Sequence, residues 1–221
     1  GCALTAVKPS ERGDGAILRA YNPGEGTKCL SIGAGLLPVG AAKLVRLDET
    51  ELRDQLLNDI LGHRGKNVFM QGPIFFHYGR HTSIGDNFFG NYNLTIQDDA
   101  KVTIGNNVNF GPNVTIVTPI HPMLPNERNQ MLDEQGVPSR FCYAKPVTIG
   151  NNIWFGANVV VCSGVTIGDN CVIGAGSVVT RDIPANSFAA GVPCRVIRAI
   201  TQADSMVNKP EILAGNKVIE E

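Results

Sequence analysis

Apolar positions recur at every sixth residue along most of this chain. Val147, Ile153, Val159, Val165, Cys171, Ser177 and Ile183 form one such row, and Ile149, Phe155, Val161, Ile167, Ile173 and Val179 form a second, two positions on. The same register runs earlier through Ile84, Gly90, Ile96, Val102, Val108 and Val114, with Ile104, Phe110 and Ile116 two positions on. A helix repeats near 3.6 residues and a strand near 2, so a period of six fits neither as a continuous element. It describes a short strand, a corner and another short strand. Gly, Asn and Asp follow the second apolar position in Ile84-Gly85-Asp86-Asn87, Ile104-Gly105-Asn106-Asn107, Ile149-Gly150-Asn151-Asn152 and Ile167-Gly168-Asp169-Asn170. These residues tolerate the left-handed and turn conformations of a tight corner. The pattern predicts an all-β solenoid, a parallel β-helix with three faces and about 18 residues per coil. Residues 74–116 and 145–198 supply roughly five coils spaced ~4.8 Å apart, a prism ~24 Å tall filled by Val, Ile and Phe. An antiparallel sandwich, the competing all-β reading, repeats at about 8–12 residues.

Outside the repeats the pattern changes twice. Residues 48–61 predict a helix: Asp48 caps it, Leu52, Leu56, Leu57, Ile60 and Leu61 make one apolar face, and Gly62 ends it. Such a helix is expected to cover the open first coil, because solenoid ends need caps. Three regions follow: an irregular and helical cap region over 1–63, the β-helix over 64–200, and a polar tail over 201–221. Between Ile116 and Val147 the six-residue step fails. The excursion loop 117–146 carries Pro119, Pro122, Pro125, Pro138 and Pro146, and a loop of that length in a compact domain points to function. It opens with Thr118-Pro119-Ile120-His121-Pro122. Prolines on both sides restrict the backbone around His121, and a neutral imidazole is the natural base for a hydroxyl near pH 7.

Charge and cysteine usage narrow the function classes. The 221 residues carry a net charge of -1, with acids and bases mixed. No basic stripe argues for nucleic acid, and no apolar run reaches the ~18 residues of a membrane span. No signal peptide is visible. The six cysteines lack CxxC spacing and read as reduced thiols of a cytoplasmic protein. His77 and His81 are four apart, but on an expected strand and corner rather than the helix that a zinc pair requires. A zinc hydratase on such a prism needs three histidines meeting across subunits, so no metal is expected. A non-catalytic β-helix scaffold is the rival from another class, because fold alone does not dictate function.

Several stretches resemble the maltose/galactoside O-acetyltransferases, a family of hexapeptide-repeat acyltransferases. They are residues 78–93, which contain Asn91-Tyr92-Asn93, residues 102–108, 118–122 and 147–156, and residues 164–198, which contain Ala189-Ala190-Gly191-Val192-Pro193-Cys194-Arg195. The resemblance covers about residues 64–200. It implies a left-handed β-helix, a homotrimer with active sites between subunits, and acetyl transfer from acetyl-CoA to a sugar hydroxyl. It implies that His121 is the catalytic base and that His77, Asn91 and Asp99 bind the acceptor. Trp154, Ala157, Ala175, Thr180, Arg181, Arg195 and Arg198 fall at positions that contact acetyl-CoA. The family opens with a short helical domain, of which only residues 48–61 resemble the last helix. A non-sugar acceptor such as an antibiotic or serine is the alternative within the same chemistry. No nucleophilic serine or cysteine motif is visible, so direct transfer is expected over an acyl-enzyme.

Overall fold

The computed structural model of the chain describes residues 3–9, 16–21, 50–129, 131–214 and 216–217. The chain divides into two units, 1–46 and 47–221. In the first, Ala3–Pro9 and Ala16–Tyr21 pair antiparallel, Ala3 opposite Tyr21 and Pro9 opposite Ala16. These strands stand within the stretch expected to be irregular. The glycine-rich run 24–28 and the Asp48 cap lie outside the described residues.

In the second unit, short strands stack in register into three parallel sheets. The first face runs through His63–Arg64, Thr82–Ile84, Val102–Ile104, Val147–Ile149 and Thr166–Ile167. The second runs through Phe69–Met70, Phe89–Gly90, Val108–Phe110, Ile153–Phe155, Val172–Ile173 and Ser187–Ala190, where Arg195–Ala199 turns back as an antiparallel edge. The third runs through Ile74–Phe76, Leu94–Gln97, Thr115–Val117, Val160–Val161 and Val178–Val179. Each residue thus meets its counterpart one coil away, which makes this the parallel β-helix that the six-residue period predicts. The first coil begins at His63, ahead of the 74–116 stretch, and Ile183 bridges to Ile167 to start a sixth turn.

The two apolar positions of each strand point inward. Ile84, Ile104, Ile149, Ile167 and Ile183 form one column, all nearly inaccessible to solvent. Helix Thr50–Ile60 and the residue after it add Leu57 and Leu61 to the same core. Gly62 follows because a Cβ there would run into the Arg80 carbonyl.

Two different physical needs explain the Gly-Asn corners. The asparagines take the left-handed conformation: φ is 55° at Asn87, 56° at Asn107 and Asn152, 57° at Asn170 and 58° at Asn186. Their side-chain amides also form a ladder, each Nδ2 donating to the next Oδ1 at 2.9–3.0 Å. The glycines serve close approach instead. A Cβ on Gly105 would stand 2.6 Å from Gly150 O, and one on Gly168 would stand 2.6 Å from Ala185 N.

Asn107→Ala is therefore expected to cost about 2 kcal/mol, from the left-handed backbone and the lost ladder bonds. Tm should fall by about 4–8 °C. Asn107→Gly keeps the backbone freedom and should lose less; equal melting of the two variants in calorimetry would remove the backbone from the explanation.

Candidate active site

The excursion loop leaves the prism at the corner between the third and first faces. That corner also holds residues 77–81 and 98–101 of the preceding coils and 162–165 and 180–182 of the following ones. Thr118 anchors the root of the loop. It is fully buried, its Oγ1 donates to Gln97 O at 2.7 Å, and the same Oγ1 accepts from Ala100 N at 3.0 Å. Ser163 Oγ donates to Thr118 O at 2.6 Å and accepts from Lys145 N at 3.2 Å. Both ends of the excursion are thereby tied to one polar knot.

Beyond the root, Pro119–Ile120 pairs antiparallel with Tyr143–Ala144. This brings Phe141 O to 3.2 Å from His121 Nδ1. A carbonyl oxygen only accepts, so Nδ1 carries the proton and donates it there. The neutral ring then keeps its lone pair on Nε2, and the side chain is exposed. Proline spacing suggested a constrained His121; the bond that selects its tautomer comes from a residue twenty positions away.

Two coils below, the same corner carries a second cluster. His77 Nδ1 lies 3.0 Å from Asp99 Oδ2. Asp98, fully buried, clamps the turn after His77: Tyr78 N donates to Asp98 Oδ1 at 2.8 Å and Thr82 Oγ1 donates to Oδ2 at 3.0 Å. His81 Nδ1 donates to the Asp98 carbonyl at 2.7 Å. The sequence marked Asp99 but not Asp98; its signal was an aspartate at a position whose side chain turns into the prism.

The remaining candidate residues stand elsewhere. Asn91, Ala157 and Ala175 occupy the corner between the second and third faces, where Asn91 Oδ1 accepts from Tyr92 N at 3.0 Å. Trp154 lies on the outer side of the second face, 59% exposed, and lines a shallow groove with Asn109, Val172 and Ile200. Thr180 and Arg181 are exposed at the same corner as His121, on a higher coil. Arg195 and Arg198 sit on the edge strand. Arg198 Nη1 and Nη2 donate to the two oxygens of Asp204 at 2.7 and 2.6 Å, and the guanidinium lies 5.7 Å from the centre of the Phe188 ring. That pairing holds the Asp204 carboxyl down to about 2. Because the folded value is depressed, the latch is complete above about pH 4 and is lost as pH falls through about 2. One chain therefore divides its candidate residues. His77, Asp99, His121, Thr180 and Arg181 share one corner, and Asn91, Trp154, Ala157, Ala175, Arg195 and Arg198 lie beyond the third face.

Comparison with known proteins decides the family. The profile described as Bacterial transferase hexapeptide (six repeats) matches residues 146–181. The galactoside O-acetyltransferase of Escherichia coli K12 is 49% identical over 156 residues, 71% of this chain and 72% of that one. The chain belongs to the galactoside and maltose O-acetyltransferase family. Among solved structures of that family, galactoside acetyltransferase in complex with coenzyme A is 48% identical, covers 72% of this chain and 76% of its own, and has a TM-score of 0.66. A maltose O-acetyltransferase from Clostridium difficile 630 is 44% identical over 70% of this chain and 78% of its own, with a TM-score of 0.63. The N-terminal part of this acetyltransferase has a second likeness. The profile described as Glycosyl hydrolases family 38 C-terminal beta sandwich domain matches residues 1–70, although His63–Arg64 and Phe69–Met70 are strands of the first prism coil.

In this acetyltransferase the thiols of Cys162, Cys171 and Cys194 are pushed up by burial, which keeps them protonated and poor nucleophiles. No helix among the described residues is long and apolar enough to cross a membrane, and no cluster of three His, Cys, Asp or Glu side chains among them is arranged for a metal ion. With His77 binding the acceptor, as the family resemblance implies, Asp98→Ala is expected to raise the acceptor KM by about tenfold or more, because it strips the turn beside His77 of its charge-assisted bonds. The KM for acetyl-CoA should not move. Asp98→Asn, which keeps one acceptor oxygen and offers an amide to Thr82 Oγ1, should recover most of the loss. Steady-state kinetics with each substrate varied in turn checks this; a uniform loss in both KM values would mean general unfolding.

Proposed function

We propose that this chain transfers the acetyl group of acetyl-CoA to a hydroxyl of a sugar, directly and with His121 as general base. The observation that carries the reading is the Nδ1 bond of His121 to Phe141 O, which leaves Nε2 as the basic atom on an exposed ring. His121 Nε2 takes the proton of the acceptor hydroxyl as its oxygen attacks the thioester carbonyl carbon. The tetrahedral oxyanion then collapses, the C–S bond breaks, and the departing thiolate takes the proton from His121. The backbone N–H of Ala157 is the donor assigned to the oxyanion. His77, Asn91 and Asp99 orient the sugar through its other hydroxyls, which lowers the barrier before any proton moves. Trp154, Ala175, Thr180, Arg181, Arg195 and Arg198 line the path of CoA; the Arg198–Asp204 pair opens or shares its guanidinium to take a phosphate.

A homotrimer accounts for the division of these residues. The third face lies between the two groups, and its outward column of Phe75, Thr95, Thr115, Val160 and Val178 carries no charge. Packing that face on a second copy brings the His121 corner of one subunit to the Ala157 corner of the next. The free thiols of Cys162, Cys171 and Cys194 suit the reducing cytoplasm, where we place the protein. Thiol release on mixing the chain with acetyl-CoA and a panel of maltose, galactosides and free sugars tests the activity, and sedimentation tests the trimer. Release of CoA only by slow hydrolysis, with every sugar unmodified, would refute the transfer.

A further inference from the structure

Ser177 stands where the inward rows call for an apolar residue. Its counterparts on the preceding coils are Leu94, Val114 and Val159, and all four side chains are fully buried. A hydroxyl in such a place is costly unless its hydrogen-bonding roles are filled. Here they are. Ser177 Oγ donates to Gly174 O at 2.6 Å and accepts from Gly191 N at 3.0 Å. Gly191 N only donates, so the hydroxyl proton is directed to Gly174 O. We propose that Ser177 is a positioning residue of the acetyl-CoA site, which turns the Gly174–Ala175 peptide so that the Ala175 N–H faces out of the prism as a donor to an acceptor oxygen of acetyl-CoA. This role rests on the reading of Ala175 as a position that contacts acetyl-CoA.

Peptide geometry carries the inference. In a trans peptide the C=O and the N–H of the following residue point in opposite directions. The Gly174 carbonyl is drawn to a buried hydroxyl, so the Ala175 N–H points outward, and Ala175 is exposed. Among the described residues no backbone carbonyl accepts from that N–H. Alanine has no polar side chain, so a polar contact at this position uses the backbone. The peptide after Ala175 is held too, because Gly176 N donates to Ala157 O at 2.8 Å on the coil below. The same hydroxyl reaches the run that carries Arg195. Val178 N donates to Gly191 O at 3.1 Å, Cys194 N donates to Val178 O at 2.8 Å, and Arg195 Nη1 donates to Cys194 O at 2.8 Å. One oxygen atom thereby ties the Ala175 corner to the Gly191–Arg195 run, and both carry positions assigned to acetyl-CoA.

The test uses the full chain and two variants of equal size, Ser177→Thr and Ser177→Val, in which a hydroxyl replaces a methyl. The column already accepts a valine one coil below, at Val159. Calorimetric titration with CoA, and steady-state kinetics with acetyl-CoA and a sugar acceptor, read both variants with Tm alongside. Ser177→Val is expected to weaken CoA binding and to raise the KM for acetyl-CoA by about tenfold, as a misaligned donor does. Its kcat at saturation and its acceptor KM should stay near those of the parent. Ser177→Thr should bind CoA much as the parent does, and Ser177→Ala, which adds no bulk, should follow valine. Ile167→Val, a trimmed core residue on the first face, is the control for lost packing: it should lower Tm and move neither KM. Equal CoA affinity in the threonine and valine variants would overturn the role, and so would a valine loss shared equally by kcat and both KM values. A parent chain that does not bind CoA is a separate failure, which removes the cofactor reading and the role of Ser177 with it.

Discussion

Replacing His121 with alanine is expected to lower kcat by about 10²–10⁴ while leaving the KM for acetyl-CoA near its original value. In the proposed mechanism the imidazole takes a proton on Nε2, because its Nδ1–H is spent on Phe141 O. The alanine variant deletes that proposed base without opening the core, since the ring is exposed and Phe141 O passes to water. His121→Asn is the sharper variant. Its amide can still donate to the Phe141 carbonyl, so the loop keeps its contact, yet it offers no basic nitrogen; it should be as slow as alanine. Thiol-release kinetics, with Tm measured alongside, read both. Turnover in the asparagine variant close to that of the parent would mean that His121 holds the loop and moves no proton.

Phe110→Ala carries the largest expected effect on stability. Phe110 is 1% exposed and sits edge-on between Phe88, at 5.2 Å and 80°, and Phe155, at 4.6 Å and 76°. Its truncation leaves a cavity between two aromatic rings that the coils above and below cannot close, because their spacing is set by backbone hydrogen bonds. The expected loss is about 3–5 kcal/mol, or a fall in Tm of about 6–20 °C. Phe110→Leu refills much of the space and should lose far less. A solenoid transmits such damage mainly to its nearest coils, so hydrogen exchange should rise first at Gly111, whose N–H donates to Phe155 O on the coil above, and on the coil of Gly90 below. A uniform rise along all the coils would indicate that the prism unfolds as one unit.

The fold was legible because a solenoid converts sequence period into contact. Thr148, Trp154 and Val160 each meet a partner eighteen residues on, at Thr166, Val172 and Val178 of the adjacent coil. A six-residue rhythm therefore states the register directly. The corner asparagines were legible as turn residues, although their amide ladder and the separate role of the glycines were not, since both depend on the distance between coils. The N-terminal strands Ala3–Pro9 and Ala16–Tyr21 were not read, because a hairpin carries no six-residue period.

His121, His77 and Asp99 were placed by motif, and the structure sets them on one corner. The resemblance puts Arg198 at a position that contacts acetyl-CoA; its bidentate partner Asp204 lies six residues on, across a turn that no repeat describes. By itself, then, the sequence determined the three-faced coil, the point where the loop leaves it, and the histidine at the root of that loop. Those features are periodic, or break a period. Only the tertiary structure decided which nitrogen of His121 keeps the lone pair, that Asp98 clamps the turn after His77, and that the candidate residues stand in two groups on either side of the third face. These depend on contacts between a non-repeating loop or turn and a particular coil, and such contacts are set by chain path in three dimensions rather than by any interval along the chain.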